Sequence, residues 1–291
     1  MGVTPAEPNE TALPPVLPID AVLPDLMAVL SRAGRAVLQA PPGAGKTTRV
    51  PLAMLDLVEG RILMLEPRRL ATRAAAERMA ETLGEAVGQT VGYRVRGDSK
   101  TGPETRIEVV TEGILTRMLQ GDPELPGIGA VIFDEFHERS LNADLGLALT
   151  WEVRGALRED LVLLVMSATL DAGPVAALLD DAPVITSHGQ SFPVETRWRD
   201  RPAPARERLE TSVAELIRTA LAEAEGGILA FLPGEGEIRR VAGLLGDLPD
   251  SIALHQLFGA MPLAAQRAAL RPDPAKRKLV LATAIAETSL T

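Results

Sequence analysis

The chain contains no cysteine. Disulfides, thiolate metal sites and cysteine nucleophiles are therefore excluded, and a reducing, cytoplasmic location is expected. Aromatic residues make up only 3% of the 291 positions, too few for a platform on which successive bases stack. No apolar run is long enough to span a bilayer, so no membrane partner is expected. Residues 1–13 lack a basic stretch followed by an apolar one, so no secretory signal is read there. Positive charge is also in short supply: 30 Lys and Arg against 39 Asp and Glu give a net charge of −9. A protein held on duplex DNA by bulk attraction is basic, so that mode is disfavoured. A grip on one strand through backbone N–H groups and a few arginines stays open. Positive charge is locally dense at Arg68-Arg69-Arg73, at Arg94 and Arg96, and at Lys276-Arg277-Lys278.

What is present is a phosphate-binding pattern. Ala40-Pro41-Pro42-Gly43-Ala44-Gly45-Lys46-Thr47 lies between an apolar strand, Arg35 to Gln39, and a helical pattern that opens at Lys46. Glycines let backbone N–H groups converge as an anion nest, and a helix N-terminus adds unpaired donors. Gly43, Ala44, Gly45, Lys46, Thr47 and Thr48 are the expected contacts of ATP, with Lys46 on the outer phosphates. Ala40 stands where the pattern has its first glycine. A glycine-rich turn that merely precedes a lysine is the plainer alternative. A second apolar run, Val131-Ile132-Phe133, ends at Asp134-Glu135-Phe136-His137. Carboxylates at the C-terminal end of a parallel strand face the ligand crevice. Asp134 and Thr47 are expected to hold Mg²⁺, and Glu135 to orient and deprotonate the attacking water. Lys46, Asp134 and Glu135 form the expected catalytic set. His137 has no Cys or second His nearby, so it reads as a polar relay rather than a metal ligand. His188 and His255 are isolated and read as core or surface residues.

Apolar strands alternate with helical patterns from Ile19 onward, which predicts an α/β fold with parallel sheets covered on both faces. Helices are predicted over 71–83, 141–157, 206–224, 235–245 and 263–270. The helix over 141–157 carries apolar residues at helical spacing at Leu141, Leu145, Ala148 and Leu149. Residues 1–18 read as a flexible lead and 19–184 as the first lobe. A break at 185–193 reads as a linker, and 194–291 as a second lobe that stops early. Phe231, in an apolar run, reads as core.

Further strings occur in a fixed order: Glu66-Pro67-Arg68-Arg69, Thr111-Glu112-Gly113-Ile114-Leu115-Thr116-Arg117, Ser167-Ala168-Thr169, Phe231-Leu232-Pro233-Gly234 and Ala284 to Thr291. With the first two motifs, they resemble superfamily 2 ATP-dependent helicases of the DEAH/RHA class, and the Asp-Glu-Phe-His version looks like its bacterial HrpB branch. The resemblance covers roughly Leu23 to Thr291. It implies two RecA-like P-loop lobes, the second incomplete in this chain, and a motor that spends ATP on single-stranded RNA, or DNA. It further implies that Arg68, Arg69, Thr111 and Thr283 contact the nucleic-acid backbone. His137, Ser167 and Thr169 would couple hydrolysis to movement, Arg78 would stack on the adenine, and Ser289 and Thr291 would lie near the nucleotide. Asn is usual where Ala284 stands. An arginine-rich motif expected on the second lobe is not found before Thr291, so weak hydrolysis is expected of this chain. A nonhydrolysing nucleotide-gated RNA clamp is the alternative. Glu135 argues against it, because a clamp needs no placed base.

Overall fold

The computed structural model describes residues 16–168, 172–189, 193–199, 206–271 and 273–286. The chain divides into two compact units, Met1–Pro67 with Ala75–Ser191, and Arg68–Ala74 with Phe192–Thr291. The first unit is built on eight strands: β1 (Arg35–Gln39), β2 (Arg61–Glu66), β3 (Val91–Val95), β4 (Asp98–Lys100), β5 (Ile107–Thr111), β6 (Ile128–Phe133), β7 (Val162–Ser167) and β8 (Val184–Thr186). They form one sheet in the order β4-β3-β5-β2-β6-β7-β1-β8, parallel throughout except for the β3–β4 hairpin. Register aligns the strand ends. Glu66 lies opposite Thr111, Leu65 opposite Phe133, and Gln39 opposite Ser167. The residues that follow these strands therefore collect along one edge of the sheet, where open α/β sheets place ligands.

Helices α1 (Leu23–Ala33), α2 (Lys46–Ala53) and α3 (Arg69–Thr82) supply one face, and α4 (Glu112–Gly121), α5 (Leu141–Ala156) and α6 (Gly173–Leu178) the other. Successive strand residues point to opposite faces. Leu38, Ile62, Met64, Ile132 and Leu164 enter the first core, while Val37, Leu63, Leu65, Val131 and Leu163 enter the second. Both sets are apolar, as a doubly covered parallel sheet requires.

Helix α5 forms where the sequence predicts it, but its buried face is different. Leu141 is 84% exposed and Leu145 43%, while Ala143, Gly146, Leu147, Thr150 and Val153 are buried. The inner face mixes the small Ala143, Gly146 and Thr150 with Leu147 and Val153. A Cβ on Gly146 would sit 3.4 Å from the Phe133 ring and 3.5 Å from Leu115. The break read at Ile185 falls inside β8, which pairs with β1 through Ile185 and Thr186.

In the second unit, α7 (Leu209–Glu223), β9 (Ile228–Phe231), α8 (Glu235–Leu245), β10 (Ile252–Leu257), α9 (Leu263–Leu270) and β11 (Arg277–Ala282) form a parallel sheet in the order β10-β11-β9. Residues of α7 and α8 pack on Leu279 and Leu281 of β11. Val280 and Ala282 face the other way, with Leu257 and Ala269. Phe231, read as core, is 51% exposed. It sits on β9 at the edge of this sheet, opposite Ala282, and Leu229 on the same face is also exposed.

His255 on β10 takes up a proton less readily than an ordinary histidine. Burial is the main cause and the Lys278 charge adds to it, while Asp273 opposes. The unfolded chain therefore binds more protons as pH falls through about 6.5, and the folded state loses stability there. Replacing His255 by Gln is expected to flatten the fall in stability between about pH 7 and pH 5, read by urea unfolding at several pH values. An unchanged pH slope would contradict this.

Candidate phosphate-binding and catalytic site

Strand β1 ends at Gln39 and α2 begins at Lys46, with the glycine loop between them. Gly43 and Gly45 take φ of +75° and +92°, a region that glycine enters without penalty. Ala40 is fully buried, and its N–H donates to the Ser167 carbonyl at 3.0 Å, so the loop starts anchored to β7. The Ala44 carbonyl accepts from the Ile19 N–H at 3.1 Å. No side chain caps the start of α2, which leaves first-turn N–H groups for an anion.

The carboxylates following β6 meet this loop. Lys46 Nζ lies 2.7 Å from Glu135 Oε1, and the Thr47 hydroxyl donates to Asp134 Oδ2 at 2.6 Å. The Glu135 N–H donates to Asp134 Oδ1 at 2.8 Å, and the Asp134 N–H donates to the Leu65 carbonyl of β2 at 3.0 Å. Glu135 itself adopts φ +49°, a left-handed conformation uncommon for a residue with a Cβ. Such strain persists only where surrounding contacts over-determine it.

Glu66, the last residue of β2, belongs to the same cluster. It is 2% exposed and hydrogen-bonded to Asp134. Burial, reinforced by the Asp134 charge and that hydrogen bond, pushes its carboxyl well above the usual range. Burial also raises Asp134, against the pull of Lys46 and the Thr47 hydroxyl. Burial alone would lower Lys46, but Asp134 and Glu135 outweigh it and hold the ammonium charged. Three carboxyl groups thus share one buried ammonium. Such an excess of negative charge calls for a proton or a further cation. The paired Thr47 and Asp134 oxygens suit a hard ion such as Mg²⁺, which takes a few protein oxygens and draws the rest from phosphate and water. Among the described residues, no group of three or more His, Cys, Asp or Glu forms an all-protein metal cage.

His137 bridges this cluster to β7. Its Nδ1 accepts from the Ala168 N–H at 3.2 Å, and its Nε2 lies 3.4 Å from Glu135 Oε2. His137 and Ser167 also line one cavity of about 190 Å³.

The structure brings Gly43, Ala44, Gly45, Lys46, Thr47, Asp134, Glu135, His137 and Ser167 together within the first unit, with Thr48 in the first turn of α2. Thr111 ends β5 beside Glu66, and the half-buried Arg68 and exposed Arg69 follow β2 in sequence. Thr283 follows β11 in the second unit. Arg78 is exposed on α3 and pairs with Glu81 at 3.0 Å. Thr169, Ser289 and Thr291 lie outside the described residues. Three residues of two basic clusters, Arg94, Arg277 and Lys278, serve the fold. Arg94 lies 2.8 Å from the buried Glu108. Arg277 donates to the Gly226, Leu221 and Ala220 carbonyls, and Lys278 to those of Ala268, Ala269 and Arg271. Sequence reasoning gave Glu66 no role, although it is a carboxylate at a strand's C-terminal end, the criterion that singled out Asp134.

Residues 20–177 match the family model described as DEAD/DEAH box helicase. The chain belongs to this family. It is 53% identical over 279 residues to the ATP-dependent RNA helicase HrpB of Escherichia coli, a match that covers 94% of this chain and 34% of that protein. It is 33% identical to the ATP-dependent RNA helicase HrpA of Borreliella burgdorferi, again over 94% of this chain and 34% of that one. The crystal structure of the Escherichia coli DEAH/RHA helicase HrpB superposes with a TM-score of 0.88 over 94% of this chain and 35% of its own. The chain thus spans about a third of the length of the relatives it matches. Its α/β architecture and mostly parallel eight-stranded sheet are those of a RecA-like helicase lobe.

In this DEAD/DEAH box member the loop depends on the left-handed Gly45, where a Cβ would also meet Leu17 at 2.6 Å. Gly45→Ala is expected to cost about 1–2 kcal/mol of stability in nucleotide-free protein, read by chemical denaturation. An unchanged midpoint would contradict the loop geometry.

Proposed function

We propose that this chain is the motor portion of an ATP-dependent RNA helicase: it binds ATP with Mg²⁺ at the first unit, hydrolyses it, and moves on single-stranded RNA in the cytoplasm. The observation that carries this reading is the buried network Lys46–Glu135 and Thr47–Asp134 beneath a glycine loop. The printed names of the relatives, ATP-dependent RNA helicases, support the choice of RNA. Among the described residues, no helix is long and apolar enough to cross a membrane.

In this reading the loop amides of residues 43–48 cradle the phosphates, and Lys46 exchanges Glu135 for the outer phosphate oxygens. Thr47 and Asp134 would hold Mg²⁺, which would supply positive charge to offset the triphosphate. Glu135, released from Lys46, orients a water and accepts its proton. The Glu135–His137–Ala168 connection carries the state of the site to Ser167 at the end of β7. Arg78 would stack on the adenine, and Arg68, Arg69, Thr111 and Thr283 would each contact a strand backbone; Ser289 and Thr291, expected near the nucleotide, lie outside the described residues. Backbone contacts of this kind position a strand without reading its sequence.

The test is ATP turnover by the purified chain with and without single-stranded RNA or DNA, beside Glu135→Gln. RNA-stimulated turnover that falls by about 10²–10⁴ in the variant, with Mg²⁺-dependent nucleotide binding kept, is the expected result. Nucleotide binding with no turnover in either protein would favour a clamp. Equal stimulation by DNA would remove the preference for RNA, which requires a contact to the 2′-hydroxyl.

A further inference from the structure

Residues 17–20 form a short strap along the phosphate loop, and no step proposed above uses it. Leu17 and Pro18 fall in the stretch that reads from sequence as a flexible lead, but here the chain is fastened at several points. The Ile19 N–H donates to the Ala44 carbonyl at 3.1 Å. The fully buried Ile19 side chain joins Ala44, Val50 and Met54 in the first core, and Leu17 packs against that core. Asp20 Oδ2 accepts from the Leu17 N–H at 2.8 Å, which closes the turn, and Oδ1 lies 3.6 Å from Arg49 Nε on α2. The Pro18 carbonyl accepts from the hydroxyl of the buried Ser187 at 3.1 Å, and the Ser187 N–H donates to the Gln39 carbonyl at the end of β1.

The Ile19 bond fixes the orientation of one peptide group in the loop. The Ala44–Gly45 peptide is trans, so its N–H points opposite to its C=O. With the carbonyl held by Ile19, the Gly45 N–H is turned away from the strap. Leu17 and Ile19 also back Gly45 directly: a Cβ there would lie 2.6 Å from Leu17 Cδ1 and 3.3 Å from Ile19 Cγ2. Glycine is the residue whose backbone rotates most freely, so its peptide needs such an outside hold. On its other side, the Gly45 carbonyl accepts the first bonds of α2, from Thr48 and Arg49.

We infer that this strap is a positioning element for the nucleotide: Leu17, Ile19 and Asp20 hold the Ala44 carbonyl and thereby aim the Gly45 N–H at bound phosphates. The inference rests on the nucleotide-site reading above. The strap acts through the loop alone, so it serves nucleoside triphosphates and pyrophosphate alike, whatever the base. A loop that holds its binding-competent form only part of the time binds with an affinity reduced by that fraction.

The experiment measures binding of a fluorescent, nonhydrolysable ATP analogue to the purified chain with Mg²⁺, with pyrophosphate as competitor, and amide exchange of the nucleotide-free protein. Asp20→Ala opens the turn without removing a core side chain. Leu17→Ala removes the side chain behind Gly45. Asp20→Asn keeps an oxygen for the Leu17 N–H. The expected result is that Asp20→Ala and Leu17→Ala each bind analogue and pyrophosphate about tenfold more weakly, the worth of roughly one hydrogen bond. Residues 43–48 exchange faster in both empty variants, and Asp20→Asn follows the wild type.

Wild-type affinity in Asp20→Ala or in Leu17→Ala overturns the inference, even where the unfolding midpoint has dropped, since the strap would then serve stability alone. So does weaker binding of the analogue with pyrophosphate affinity kept, which would place the effect at base or ribose. An Asn variant weakened as much as Asp20→Ala also overturns it, because the charge facing Arg49 and not the closed turn would then be the hold. Should Leu17→Ala unfold at the assay temperature, Asp20→Ala decides alone. Wild-type chain that binds neither analogue nor pyrophosphate would bring down the nucleotide-site reading, and the inference with it.

Discussion

One buried ammonium set against three carboxyl groups is the constraint on which the site depends. Lys46 is 4% exposed, Asp134 4% and Glu66 2%, so water screens little of their interaction. No arrangement of these four groups alone is neutral unless a proton or a cation joins them. The raised Glu66 carboxyl is one answer, and a divalent ion with its phosphates is the other. In the proposed reading, a Mg²⁺-bound triphosphate would offset this excess of negative charge. This is the sense in which the cluster is built for a ligand and not for stability: an uncompensated buried charge costs several kcal/mol, roughly as much as a core residue contributes.

The fold supplies that cluster through topology. Glu66 ends β2 and Asp134 follows β6, adjacent strands in the sheet, while Lys46 opens α2 after the loop that follows β1, with β7 between. The left-handed Glu135 turns its side chain toward Lys46, and the next residues place His137 between Glu135 and the Ala168 amide. Glu135 is therefore held from two sides, by the ammonium and by the imidazole. Any change in how Glu135 is bound reaches the end of β7 through two polar contacts. That end also anchors the phosphate loop, since the Ser167 carbonyl accepts from the Ala40 N–H. The His137 contact and the glycine loop thus meet at one strand terminus.

Much of this was legible in the chain. Glycines at 43 and 45 announce a loop because few other residues tolerate their φ values, and Asp134-Glu135 after an apolar run announces a strand end. What escaped was set by long-range pairing. Glu66 joins the buried cluster because β2 lies beside β6, a neighbourhood that no local pattern encodes. The inner face of α5 mixes Ala143, Gly146 and Thr150 with Leu147 and Val153, so a reading that follows Leu141 and Leu145 selects the outer face. Phe231 looked like core because it ends an apolar strand, but β9 is an edge in its sheet. Arg94, Arg277 and Lys278 looked like a cationic surface, yet their donors are taken by Glu108 and by backbone carbonyls.

The central claim is that the glycine loop, the end of β6 and the end of β7 respond to one ligand as a unit. Amide hydrogen exchange of the purified chain, with and without Mg²⁺ and a nonhydrolysable ATP analogue, addresses it most directly. The account predicts slowed exchange at residues 43–48 together with 134–138 and Ala168, and none of it when EDTA replaces Mg²⁺. Protection of the loop alone, with 134–138 and Ala168 unchanged, would contradict it.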